Sequence, residues 1–161
     1  GGTMAYKTLL TVLTDEKLAG ATLTHATALA EAYGAHLDVL CLGVDRSQAG
    51  YYYAGANAIM LQETISRATD DAESLAAFAR KHLDSRDGRW AVETGVAQLA
   101  DIVRHVSARA RFSDLVVVPH PYGPDRGVEL EPVTEGALFE GQVPVMVTPD
   151  SGAPVAERRK K

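Results

Sequence analysis

The sequence predicts an α/β protein: a single doubly wound, five-stranded parallel sheet with helices on both faces. Three observations predict it. Short apolar segments alternate with helix-period segments along the chain, the pattern of right-handed strand-helix-strand crossovers. Two of the apolar segments, Leu115 to Val118 and Val143 to Val147, run without polar alternation, as strands covered on both faces do. At 161 residues and 46% hydrophobic content, the chain suits one domain around one core.

The elements follow in order. Lys7 to Leu13 reads as the first strand. Asp15 to Tyr33 is a helix with Leu18, Thr22, Ala26, Leu29, Ala30 and Tyr33 on one face, ended by Gly34. His36 to Val44 is the second strand. After a loop, Ala56 to Leu83 forms a long helix whose stripe of Leu61, Ile65, Ala68, Ala72, Leu75 and Ala79 should be buried. Arg89 to Thr94 is the third strand, and Gly95 leads to a helix from Ala97 to Ala110 with Leu99, Ile102, Val103 and Val106 facing the sheet. Leu115 to Val118 is the fourth strand. A helix from Pro132 to Phe139 then connects to a fifth strand, Val143 to Thr148.

Charge and cysteine content narrow the function classes. The formal charge is -5, and because the last five residues carry a net +3, the body before them is -8, which disfavours nucleic acid and anionic membrane as partners. No apolar run approaches the roughly 18 residues of a spanning helix, so a cytoplasmic protein is expected. Gly1 to Thr3 read as an expression scar before Met4, and the segment from Ser151 reads as a flexible basic tail. Cys41, the only cysteine, sits between Leu40 and Leu42 and reads as a buried, inert thiol.

Ligands of an open α/β sheet bind beyond the carboxyl ends of the strands. Here the loop after the fourth strand reads His120-Pro-Tyr-Gly-Pro-Asp-Arg-Gly-Val-Glu-Leu-Glu-Pro132, with three carboxylates and three further prolines after Pro119. A phosphate site needs small residues and free backbone N–H groups instead. The architecture suits a nucleotide and the loop chemistry opposes a phosphate.

The order of elements resembles the universal stress protein family over about Tyr6 to Pro149. The residues that carry the resemblance are Tyr6 to Leu13, the helix with Ala26, Leu29 and Ala30 running into Tyr33 to Leu37, Ser113 to Val118, and Gln142 to Val147. It implies an adenine nucleotide alpha-hydrolase-like fold with strand order 3-2-1-4-5, one domain over 5–149, and a homodimer formed by antiparallel pairing of the fifth strand, Val143, Pro144, Val145, Met146, Val147 and Thr148. ATP-binding members carry an acidic residue at the end of strand one and a G-x-x-G-x9-G-[S/T] loop after strand four. In this sequence Thr14 stands at the acidic position with Asp15 after it, Pro119 replaces the first glycine, and Glu131-Pro132 replaces the last motif pair. No cofactor is therefore expected, with ATP disfavoured.

Thr14, Asp15, Leu42, Val44, His120, Tyr122, Gly123, Arg126 and Gly127 are the candidate ligand-pocket residues at the strand ends. For His120 and Tyr122 the alternative is turn chemistry beside prolines, and for Asp15 it is capping of the first helix. Tyr51, Tyr52 and Tyr53 read as a lid, a partner patch or a cover for the long helix. His25, His36, His82 and His105 lack metal-ligand spacing, and neither Ser107 nor Ser113 stands in a nucleophile elbow, so neither a metal nor a catalytic residue is expected. A phosphoacceptor receiver shares the plan, but strand three ends Glu93-Thr94-Gly95 and strand five Thr148-Pro149, with no lysine. The expected function is a non-enzymatic, homodimeric stress-response or small-ligand-sensing protein that does not bind ATP tightly, with a small metabolite or protein as further partner. The alternative is a divergent ATP binder with a rearranged phosphate loop.

Overall fold

A computed structural model describes residues 6–46, 57–86, 88–122 and 125–149. Five strands, β1 (Thr8–Leu13), β2 (His36–Asp45), β3 (Trp90–Gln98), β4 (Leu115–Pro119) and β5 (Val145–Thr148), form one sheet in the order β3-β2-β1-β4-β5. All neighbours are parallel. The predicted fold class is the observed one.

Helices α1 (Glu16–Tyr33) and α2 (Asn57–Asp84) cover one face, where Leu23, Leu29, Leu75 and Leu83 pack on Leu9, Leu37, Val39 and Val117. Helices α3 (Ile102–Ala110) and α4 (Leu130–Glu135) cover the other, with Ile102, Val106 and Val133 against Leu10, Val12, Leu42 and Val116. Alternate residues of each central strand thus feed two separate cores, as the two-residue strand period requires. Asp114 joins the starts of β1 and β4, since its carboxylate accepts from the backbone N–H groups of Lys7 at 2.8 Å and Thr8 at 3.0 Å.

Helix α1 ends as Gly34 implies: its φ is 63°, and Ala35 N–H reaches back to the Ala30 carbonyl at 2.8 Å. Cys41 is fully buried and its thiol is pushed up to about 12, mainly by burial, as an inert core cysteine should be.

Five expectations are corrected. Strand three does not stop at Thr94; Gly95 to Gln98 continue to pair with Leu42 to Asp45, so β3 is nine residues long. The helix expected from Ala97 therefore starts later, as a 3-10 turn at Leu99–Asp101 followed by α3. The fourth helix starts at Leu130 and continues from Gly136 as a π turn to Glu140, closed by Gly141 N–H on the Gly136 carbonyl at 2.8 Å. β5 is shorter than read. Pro144 supplies only its carbonyl, to Val116 N–H at 3.0 Å, and Val145 and Met146 are half-buried while Val147 is exposed, because the edge strand is covered incompletely.

The last correction concerns α2. Its stripe is buried only from Ala68 onward, and Ile65 is 44% exposed. Gly43 meets α2 at Ala68 and β2 runs only two residues further, to Asp45, so among the described residues the turns well before Ala68 lie beyond the end of that strand.

Candidate functional site

The crevice lies where the strand order reverses, between the carboxyl ends of β1 and β4. β1 delivers Thr14 to this edge. β2 ends in Asp45 and carries Arg46 there, and the loop from β4 to α4 returns across the opening with Glu129.

Glu129 is completely buried. Its two carboxylate oxygens are taken separately: Arg46 Nη1 donates to Oε1, and Thr14 Oγ1 donates to Oε2 at 3.0 Å. Burial alone would raise this carboxyl, but the Arg46 hydrogen bond, its own N–H, the Arg46 charge and the Thr14 hydroxyl together hold it below the usual glutamate range. The group is an ionised carboxylate at physiological pH. Gly127 makes room for it: a Cβ there would lie 2.1 Å from Oε1 and 2.4 Å from Oε2.

The other candidate residues divide plainly. Thr14 is in the crevice, and Asp15 beside it caps α1, accepting from Lys17 N–H at 2.9 Å. Leu42 and Val44 are buried in the core under α3. His120 Nδ1 accepts from Tyr122 N–H at 3.2 Å and the two rings meet edge to face at 5.8 Å, the turn geometry of a Pro-rich loop, with Tyr122 left exposed. Arg126 Nε donates to the His120 carbonyl at 2.8 Å, which braces the same loop. Gly123, like Tyr51, Tyr52 and Tyr53, lies outside the described residues.

Arg46 and Glu129 carry the site, and neither was among the candidate residues. Two signals in the sequence pointed to them. Arg46 immediately follows the second strand at the ligand edge, and Glu129 stands between Val128 and Leu130 in an otherwise polar loop. Beside the pair opens a cleft of about 430 Å³, lined by Thr14, Asp15, Lys17, Arg46, Asp71 and Ser74 among others. With Glu16 also on its wall, acidic side chains outnumber basic ones, and Arg46 is already committed to Glu129. Among the described residues no group of three or more His, Cys, Asp or Glu side chains is placed to hold a metal, and no helix is long and apolar enough to cross a membrane.

No protein-family model matches the chain, and no curated protein matches it in sequence. Solved structures do match. A protein from the universal stress protein family of Burkholderia pseudomallei superposes with a TM-score of 0.61 at 19% identity, over 91% of this chain and 98% of that one. The universal stress protein UspA from Lactobacillus plantarum gives 0.62 at 15% identity, over 90% and 99%. The fold is that of the universal stress proteins. Coverage of both chains nearly end to end means that the universal stress fold accounts for the five-stranded sheet as a whole. Identities this low speak to architecture and leave the site to be argued from its own residues.

Proposed function

We propose that this chain is a universal stress-type protein that acts without tight ATP binding, as a non-enzymatic, homodimeric stress-response or small-ligand-sensing protein. One observation carries the reading: the opening at the switch point is spanned by the chain's own buried carboxylate, Glu129, which already uses the Arg46 cation and the Thr14 hydroxyl. A triphosphate entering there must displace a paired anion and then sit among Asp15, Glu16 and Asp71, with Arg46 and Lys17, among the described residues, the only cations lining that cleft to balance it. Glu131-Pro132, in place of small residues, also withholds a backbone donor.

Calorimetric titration of the protein with Mg-ATP tests this. The expected result is no saturable heat at micromolar ligand. A dissociation constant in the low micromolar range, about -8 kcal/mol, would overturn it. Adenine nucleotide released on denaturing the purified protein would point to the alternative, an ATP binder whose loop rearranges.

A further inference from the structure

We infer that Arg46 and Thr14 form a binding site for one monocarboxylate, and that the Glu129 side chain is the internal ligand that holds it closed. This deepens the reading above and rests on it in one respect: the crevice is taken as one that receives a single negative charge.

Four features of the geometry support this. The two oxygens are divided between different donors, Arg46 on Oε1 and Thr14 on Oε2, which suits a planar two-oxygen acid. The bare Cα of Gly127 lies against that plane, where any side chain would collide with the carboxylate. Thr14 follows β1, Arg46 follows β2, and Glu129 precedes α4, so the acid at the centre ties three separate segments together. Arg46 is half-exposed and shares the wall of the adjoining cleft with Thr14, which gives an acid from solvent a route to both.

Charge selects the class of acid. Among the described residues, the one guanidinium in hydrogen-bond reach balances one carboxylate, and the cleft wall beside it is already net acidic, Asp15, Glu16 and Asp71 against Arg46 and Lys17, so a phosphate dianion meets more repulsion there than a monoanion. Competition sets who wins. Glu129 is tethered next to its donors at an effective concentration in the millimolar range or above, so an external acid displaces it only weakly from the intact chain. Removing the Glu129 carboxylate unmasks the site.

The experiment is thermal melting of Glu129→Ala in sodium acetate against sodium chloride at equal ionic strength. Acetate is expected to raise the melting temperature of Glu129→Ala saturably, with half-effect on the order of 10 mM and a gain of about 4 °C at tenfold saturation. Phosphate should need several-fold higher concentration. The wild type and the double variant Glu129→Ala/Arg46→Ala should show no saturable gain. Equal responses of Glu129→Ala to acetate and chloride, or a double variant that responds like the single one, would overturn the inference. A second measurement does not depend on that variant folding: carboxyl carbon NMR of the wild type should show Glu129 ionised to lower pH than the exposed glutamates, and an ordinary midpoint would overturn the cradle. Titration of the wild type with Mg-ATP is independent of both, so tight ATP binding beside a positive acetate result would defeat the proposed function and leave this site standing.

Discussion

Arg46 sets the charge balance of a carboxylate that no water reaches. Removing one partner of a buried ion pair costs roughly 3–5 kcal/mol, because the other charge is stranded. Arg46 is half-exposed, so solvent replaces part of its effect, and Arg46→Ala is expected to cost about 2 kcal/mol at pH 7. The pH dependence carries a sign. In the wild type the folded-state pKa of Glu129 is depressed, so its contribution is present above the unfolded pKa and is lost as pH falls through the folded value. Without Arg46, two of the influences that oppose burial are gone and the folded-state pKa rises relative to the wild type, so the variant is penalised most at neutral pH and less in acid. The stability gap between the two proteins should therefore narrow from pH 7 to pH 4.5 in urea unfolding; a constant gap would count against the pairing. Sequence reading missed the pair for a physical reason. Arg46 and Glu129 are 83 residues apart, and only the strand order brings the end of β2 near the loop after β4.

At the scale of elements, two glycines make opposite expectations. Gly43 lets α2 lie directly on β2: a Cβ there would be 1.8 Å from the Ala68 carbonyl oxygen, and backbone atoms on both sides leave nothing to yield. Gly43→Ala is expected to cost about 3 kcal/mol or more and to disturb the ligand edge two residues away at Asp45. Gly20, inside α1, has only the Phe78 ring at an ordinary 3.6 Å, so Gly20→Ala should stabilise by about 0.5–1 kcal/mol through helix propensity. Denaturant midpoints of the two variants on either side of the wild type would bear this out, and a loss at Gly20 as large as at Gly43 would not. The same scale shows what was legible. The sequence located all five strands, most plainly β4, whose five residues are buried on both faces and leave no polar alternation to confuse the reading, whereas β3 and β5 are edge strands that are only partly covered. Their ends were harder: Gly95 reads locally as a stop, yet Gly95 to Gln98 stay in the sheet since β2 offers a ladder through Asp45. Likewise the periodicity of α2 marked a continuous face, but no local pattern records where the sheet beneath it ends.

For the whole molecule, the open question is what pairs with β5. It is the outer strand beside β4, and among the described residues its far edge pairs with no other strand. A free edge of Val145, Met146 and Val147 without a charge is a hazard that proteins close or cover. Of the six residues expected at a dimer contact, Val143 and Thr148 are buried within the subunit, Val145 and Met146 are half-buried, and Pro144 and Val147 are exposed. Leu138 and Phe139, in the turn that feeds β5, are exposed as well, at 45% and 67%. Two copies meeting edge to edge about a two-fold axis would pair both strands at once and bring these apolar groups together. Val147 is the residue to change. Val145 packs against the core under α3, so a lysine there would test folding and association together. Val147 is 41% exposed, and a lysine at that position can keep its ammonium in water in the monomer while setting like charges near each other across the axis. Val147→Lys is thus expected to leave the unfolding midpoint within about 0.5 kcal/mol per subunit of the wild-type monomer and to weaken self-association at least tenfold. Sedimentation velocity at micromolar concentration reads the outcome: a wild-type protein that sediments as a monomer, or a dimer that persists unchanged in a folded Val147→Lys variant, would rule out pairing through β5.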